Sequence, residues 1–290
     1  MNKVIRNREH GEERAFYGAT DTRFEHCLIR GDEDGESAFK ECRRISLSEC
    51  ELSLRYPLWH VDGAAIDRCV MTDTCRAPMW YCKDVNVTDT EISGVKAVRE
   101  CEGITLRNSR IVSEEFGWKS RGIAAYDCYI EGEYMFLDCT DLMLENVKIK
   151  GKYSFQYVKN AVIRNCVLDT KDAFWHGENI TVYDSVVSGE YLGWYSKNLK
   201  LVRCSILGTQ PLCYADGLVL EDCTMTDCDL SFERSNVIAT VIGHIDSVKN
   251  PGGGSITASH VGEVISEQFE GRKSETLLIT SQPFPEKRLI

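Results

Sequence analysis

Aliphatic and polar positions alternate along this chain within a longer period of 19 residues. One small residue sets the phase. Thr90, Ser109, Cys128, Val147, Cys166, Ser185, Cys204 and Cys223 follow one another at steps of 19, seven times running. Cys27, Cys50 and Cys69 precede them at steps of 23, 19 and 21, so the early coils carry short insertions. Three residues before this anchor the chain is apolar, as at Leu47, Ile66, Val87, Leu106, Leu144 and Ile163. Two residues after it the same holds, as at Ile92, Ile111, Ile130, Ile149 and Leu168. Five before it, Ile104, Ile123, Leu142 and Ile180 complete an inward set. Period-2 alternation inside a fixed long repeat means short strands stacked coil upon coil, with in-register neighbours about 4.8 Å apart.

Turn residues keep the same phase. Gly94, Gly132, Gly151, Gly189 and Gly208 form one column; Gly63, Asp84, Gly103, Asp141, Asn160 and Asn179 belong to another. These residue types tolerate a left-handed backbone at a corner. The pattern predicts an all-β chain, a right-handed parallel β-helix of about 11–12 coils of 19 residues, forming one domain over 1–290. Coils are expected over 22–245, an N-terminal cap over 1–21, and a C-terminal cap and tail over 246–290. A leucine-rich repeat would need a helical half, and the sequence has none.

Composition narrows the partners. The net charge of −11, without a basic stripe, argues against nucleic acid. No run approaches the length of a membrane helix. Residues Met1 to Arg14 are charged and show no export signal, and the fourteen cysteines fall at core positions, so the expectation is a cytoplasmic protein with reduced thiols. Cys75 and Cys82 lack zinc spacing, and Gly252-Gly253-Gly254 is not a phosphate loop, so neither metal nor cofactor is expected.

Chemistry concentrates nine and ten residues past the anchor. All five tryptophans, Trp59, Trp80, Trp118, Trp175 and Trp194, occupy position +9, with Arg99 as its charged member. They are either wide core residues or an exposed stacking ladder for sugar rings. Position +10 holds His60, Tyr81, Glu100, Lys119, Asp138, Tyr157 and His176, too polar a set to be buried. Strict alternation then turns +8 outward as well, with Phe136, Phe155 and Phe174 on adjacent coils; Glu115 stands at +6. Such a face marks a binding site unless the protein's own ends cover it. Glu100 and Asp138 lie two coils apart, about 9–10 Å by strand spacing, a separation that suits an inverting glycoside hydrolase. Lys119 between them, with Tyr157 or His176, could serve a lyase. Glu100, Lys119, Asp138 and His176 are therefore the catalytic candidates, if there is catalysis; Asp138 and Lys119 could equally be a surface ion pair.

Segments Gly35-Glu36-Ser37-Ala38-Phe39-Lys40-Glu41, Tyr56-Pro57-Leu58-Trp59-His60, Arg76-Ala77-Pro78-Met79-Trp80-Tyr81 and Glu114-Glu115-Phe116-Gly117-Trp118-Lys119 resemble the bacterial domain-of-unknown-function family 3737. That family is placed with the pectin-lyase-like right-handed β-helices, and the resemblance covers nearly the whole chain. It implies the fold and no reaction; kinship to pectate lyases and polygalacturonases is analogy. Neither the acid cluster of polygalacturonases nor the calcium-binding acids of pectate lyases has a match. The resemblance does imply a location, around Glu36, Lys40, His60, Arg76, Tyr81, Glu114 and Lys119, with Asp138, Tyr157 and His176 extending it. The expected function is binding of an oligosaccharide or sugar derivative in a groove along the axis, with its cleavage or isomerisation as the catalytic extension. The alternative is a non-enzymatic scaffold or interaction module that uses this face to bind a partner or to self-associate, as a homo-oligomer burying Phe136, Phe155 and Phe174 would show.

Overall fold

Stacks of short strands are what the repeat dictates, and the computed structural model shows them. It describes residues 3–31, 36–267, 275–281 and 286–290; Gly35 of the first family-like segment lies outside them. The chain divides into two compact units, Met1–Lys148 and Ile149–Ile290. Each is a parallel β-solenoid, and together they make about 14 turns of roughly 19 residues.

In the first unit Glu102–Arg107 lies between Lys83–Thr88 and Arg121–Tyr126, with Val85, Ile104 and Ile123 in one register and Val87, Leu106 and Ala125 in the next. A shorter strand follows each corner, so Ile92, Ile111 and Ile130 stack as well. The second unit repeats the plan: Ile163, Val182 and Leu201 align on one sheet, and Leu168, Val187 and Ile206 on the other. All of these side chains are buried, which fills a continuous aliphatic interior.

The anchor column has a polar reason for its composition. The residue before it takes a left-handed backbone, as at Asp89 (φ 48°) and Asn108 (φ 46°). That corner aims the anchor's amide along the stack. Cys27 N–H donates to Cys50 Sγ at 3.4 Å, Cys50 N–H to Cys69 Sγ at 3.4 Å, Cys69 N–H to Thr90 Oγ1 at 3.2 Å, and Thr90 N–H to Ser109 Oγ at 3.1 Å. A buried amide needs an acceptor, so the column is held to Cys, Ser and Thr over these coils. A second ladder, absent from the sequence reading, runs from Cys82 N–H to Cys101 Sγ and from Cys101 N–H to Ser120 Oγ. All fourteen cysteines are buried.

Both glycine columns hold for different reasons. Gly63, Gly103 and Gly122 have positive φ at one corner, shared with Asp84, Asp141, Asn160 and Asn179. At Gly132 the constraint is contact, because a Cβ there would stand 1.9 Å from the Ser113 carbonyl oxygen of the previous coil.

The ends depart from expectation. Lys3–Arg6 pairs in parallel with Thr22–Glu25, and Glu9–His10 with Leu28–Ile29, so coiling begins at the start of the described chain, where a cap was expected. At the other end Gly253–Ala258 and Glu275–Thr280 continue the parallel stack, and His260–Ile265 pairs in parallel with His244–Lys249. Glu286–Leu289 runs antiparallel on Glu275–Thr280 and covers that sheet edge. Weak hydrophobic phase in these coils, with Gly and Asn at several strand positions, hid them from the sequence reading.

Candidate functional site

The corner after the second strand decides which side chains face solvent. Positions +8 and +10 both adopt left-handed backbone: Phe136 (φ 62°) and Asp138 (φ 55°), Phe155 (φ 63°) and Tyr157 (φ 57°), Phe174 (φ 63°) and His176 (φ 52°). Two such residues in three break strand alternation. The +10 side chain points outward as expected, but the +8 side chain turns in. Phe136, Phe155 and Phe174 are 0% exposed. They are core residues and not part of a binding face, so their expected role is withdrawn. Phe155 and Phe174 stack at 4.9 Å inside the second unit, and Phe116 meets Phe136 edge-on at 5.2 Å inside the first.

The tryptophans sit between those extremes. Each is half-buried. Trp59 and Trp80 stack at 5.7 Å with an 11° tilt, and the Arg99 guanidinium lies 5.5 Å from Trp80 and 5.4 Å from Trp118. Lys40 Nζ covers the other end of this column, 4.9 Å above Trp59. In the second unit Trp175 and Trp194 stack at 5.5 Å and 3°. The column is thus a π-ladder whose faces are spent on neighbouring coils and whose edges look sideways. It offers no row of open faces for sugars.

The +10 residues form a second ladder outside it. His60 stacks on Tyr81 at 4.8 Å in the first unit. In the second, Tyr157, His176, Tyr195 and Tyr214 stack at 4.9, 5.1 and 5.0 Å. Burial, and then the nearby Glu233 carboxylate, pushes the Tyr214 phenol up.

In the first unit the outer ladder changes character after Tyr81. The next two coils bring Glu100 and Lys119, and a groove of about 370 Å³ opens there, lined by His60, Tyr81, Lys83, Glu100, Glu102 and Lys119 among others. His60 stacks on Tyr81, Trp80 lies nearly parallel to the same ring at 5.5 Å, and the coil that follows brings Glu100 where a further ring would continue the ladder. Glu100 lies 3.4 Å from Arg99 Nε, and Lys83 lies 3.9 Å from Glu102. Lys119 has no ion-pair partner among the described residues; the expected Asp138–Lys119 pair does not form.

The structure therefore brings together His60, Tyr81, Glu100 and Lys119 from the expected set. Asp138 is exposed in the same column but outside the groove wall. Glu36 pairs with Arg55 at 3.8 Å, and Lys40 serves the tryptophan ladder. Arg76 and Glu115 line a different cavity, and Tyr157 and His176 belong to the second unit's ladder. Lys83 and Glu102 were missed because they follow the corner, where the sequence reading saw only strand surface. Among the described residues no group of three or more His, Cys, Asp or Glu is placed to hold a metal, and no helix is long and apolar enough to cross a membrane.

Comparison with known proteins gives one family and several distant structural likenesses. The family model described as "Protein of unknown function (DUF3737)" matches residues 3–279. None of the curated proteins matches. Among solved structures, the chain is similar to PfbA, a surface adhesin of Streptococcus pneumoniae, at 10% identity and a TM-score of 0.45, covering 99% of this chain and 85% of that one. It is similar to the A-module of the Azotobacter vinelandii mannuronan C-5 epimerase AlgE6 at 9% identity and a TM-score of 0.33, covering 97% and 90%. It is also similar to the tailspike of E. coli bacteriophage HK620, solved with a hexasaccharide, at 9% identity and a TM-score of 0.35, covering 95% and 72%. The functional reading rests on the groove itself.

Proposed function

We propose that this chain, which belongs to the DUF3737 family of proteins of unknown function, binds a saccharide in the groove beside Tyr81. The observation that carries the reading is the end of the outer ladder at that residue. Tyr81 lines the groove with no aromatic rung after it, and Glu100 and Lys119 supply an acceptor and an unpaired cation within the same groove. An apolar sugar face on a phenol ring, with hydroxyls bonded to charged groups at its rim, is the usual division of labour in a carbohydrate site. Successive coils repeat these groups at the strand spacing, close to the advance of one unit in an extended glycan. A short oligosaccharide lying along the coils fits this geometry.

If the bound sugar is also turned over, Glu100 and Lys119 are the groups beside it. Fourteen buried thiols suit a reducing compartment, in which a small imported saccharide is a more accessible ligand than a wall polymer. The self-association alternative loses the three phenylalanines, which are core residues.

The test is calorimetric titration with neutral and acidic di- and trisaccharides. Tyr81→Ala and Lys119→Ala are each expected to weaken binding at least about tenfold, equivalent to about 1.4 kcal/mol. Tyr195→Ala, on the second unit's ladder, leaves it unchanged. Binding that survives both groove variants would sink this site.

A further inference from the structure

Two buried indole donors stand together in the first unit without acceptors among the described residues, Trp59 Nε1 and Trp80 Nε1; beside them Arg99 Nε makes no hydrogen bond and faces the Glu100 carboxylate at 3.4 Å. They belong to consecutive rungs of one ladder, Trp59 on Trp80 at 5.7 Å and Arg99 over Trp80 at 5.5 Å. Elsewhere the same column is satisfied. Trp118 Nε1 donates to the Tyr134 carbonyl, Trp175 Nε1 to that of Tyr191 at 2.8 Å, and Trp194 Nε1 to that of Gln210 at 2.8 Å. In each case the acceptor lies 16 residues ahead. The orphaned pair is therefore a local departure from a working rule.

The departure sits beside an irregular coil. The coil between Trp59 and Trp80 carries a two-residue insertion, which folds as a 3-10 turn over Asp73–Cys75. Arg76 ends that turn at φ 58°, ψ −63°, a conformation that a side-chain-bearing residue rarely takes. The reshaped turn leaves a cavity of about 280 Å³, lined by Tyr56, Arg76, Trp80, Val95, Lys96 and Glu115. Its lining shares no residue with that of the saccharide groove.

Both orphaned indole atoms are donors, and the cavity wall adds more donors. Arg76 has no ion-pair partner among the described residues. Lys96 lies 3.6 Å from Glu115, and Arg99 Nη1 lies 3.4 Å from the same carboxylate oxygen, so the single acid is shared between two cations. A buried donor left unpaired costs the desolvation of that group, and a native fold keeps such a group when something else completes it. An acceptor-only, planar anion is the complement of indole and guanidinium N–H groups.

We propose that this cavity is a carboxylate-binding site, with Trp80 Nε1 donating to the anion and Arg76 and Lys96 balancing its charge. Val95 and the Tyr56 ring leave room for a small carbon skeleton. That the carboxylate belongs to a sugar acid rests on the saccharide reading of the neighbouring groove; the carboxylate site itself does not.

Calorimetry on the full chain with D-glucuronate, D-glucose, acetate and inorganic phosphate tests it. The expected result is binding of glucuronate at least tenfold tighter than glucose and tighter than acetate. Trp80→Phe, which keeps a ring and removes one donor, weakens it about tenfold, as do Arg76→Ala and Lys96→Ala. Glucose binding as tightly as glucuronate overturns the carboxylate site and leaves the saccharide reading standing. Acetate binding that is sensitive to Trp80→Phe, with no gain for glucuronate, upholds the site and sinks the sugar. Phosphate binding alone, or silence from all four probes, overturns the proposal. A control on folding separates structure from ligand. Trp80→Phe removes an orphan and leaves the melting temperature unlowered, whereas Trp194→Phe strands the Gln210 carbonyl and lowers it. An equal fall in both variants also overturns the proposal.

Discussion

Ser109 shows how much one small side chain does in this fold. Its hydroxyl accepts the Thr90 amide at 3.1 Å and donates to the Arg107 carbonyl at 2.8 Å, both at a buried corner. Ser109→Ala leaves the amide without an acceptor and should cost about 1–3 kcal/mol, read from the urea midpoint. Ser109→Cys should be milder, because Cys69 and Cys50 already fill the same role two and three coils away. The sequence showed that this column is small. It did not show that the column must accept a hydrogen bond, since size and polarity coincide in Ser, Thr and Cys. The cysteines also set a pH limit. Burial pushes the thiols of Cys42, Cys75 and Cys139 up to about 12 from an ordinary 9.0. The folded state therefore favours the neutral thiol, and its contribution is full below pH 9 and lost as pH rises from there toward 12. A urea midpoint lower at pH 10 than at pH 7 is expected, with slow alkylation of these thiols in the folded protein at pH 8. Rapid alkylation without denaturant would contradict their burial.

At the scale of the corner, the lesson is where alternation stops. The inward columns at −5, −3 and +2 were legible because strand geometry alternates and the repeat supplies many copies of each position. The outward +10 column was legible because no core accepts His, Glu, Lys, Asp and Tyr in turn. The +8 column misled because its left-handed backbone is carried by Phe, a residue that gives no turn signal. Only the stacked coils around it, which bury the ring, hold it in that conformation. Phe174→Ala should accordingly behave as a core truncation, costing about 3–5 kcal/mol, whereas an exposed ring would cost little. Chemical denaturation decides between them. The candidate site followed the same logic: Tyr81, Glu100 and Lys119 were readable as neighbours in one column, and the cavity behind Trp80 was not. That cavity depends on how an insertion of two residues folds, and a repeat analysis registers an insertion only as a shift in phase.

A solenoid is close to one-dimensional, since each coil touches only its neighbours, and this makes the 19-residue period testable on the whole molecule. In the second unit Glu178 and Lys197 occupy the same register position on successive coils. Removing Asn179–Lys197 joins Glu178 to Asn198 and deletes one full period, so Ala161 meets Leu199 where it met Ile180, and Leu168 meets Ile206 where it met Val187. Every inward column closes over the gap with an aliphatic partner of similar size. This variant should keep its β-sheet circular dichroism and cooperative unfolding, with a modest fall in midpoint. Removing one residue fewer, Asn179–Ser196, shifts the following strand by one position and exchanges its buried and exposed faces. Leu199 and Leu201 would then point to solvent, and Lys200 to the core, an arrangement the fold cannot absorb without a bulge. Loss of cooperative unfolding is expected for the shorter deletion. Because the Tyr81 groove and the Trp80 cavity are built wholly from the first unit, the full-period variant should bind sugars as the intact chain does. Equal damage from the two deletions would mean that stability here depends on individual coils rather than on the period they share.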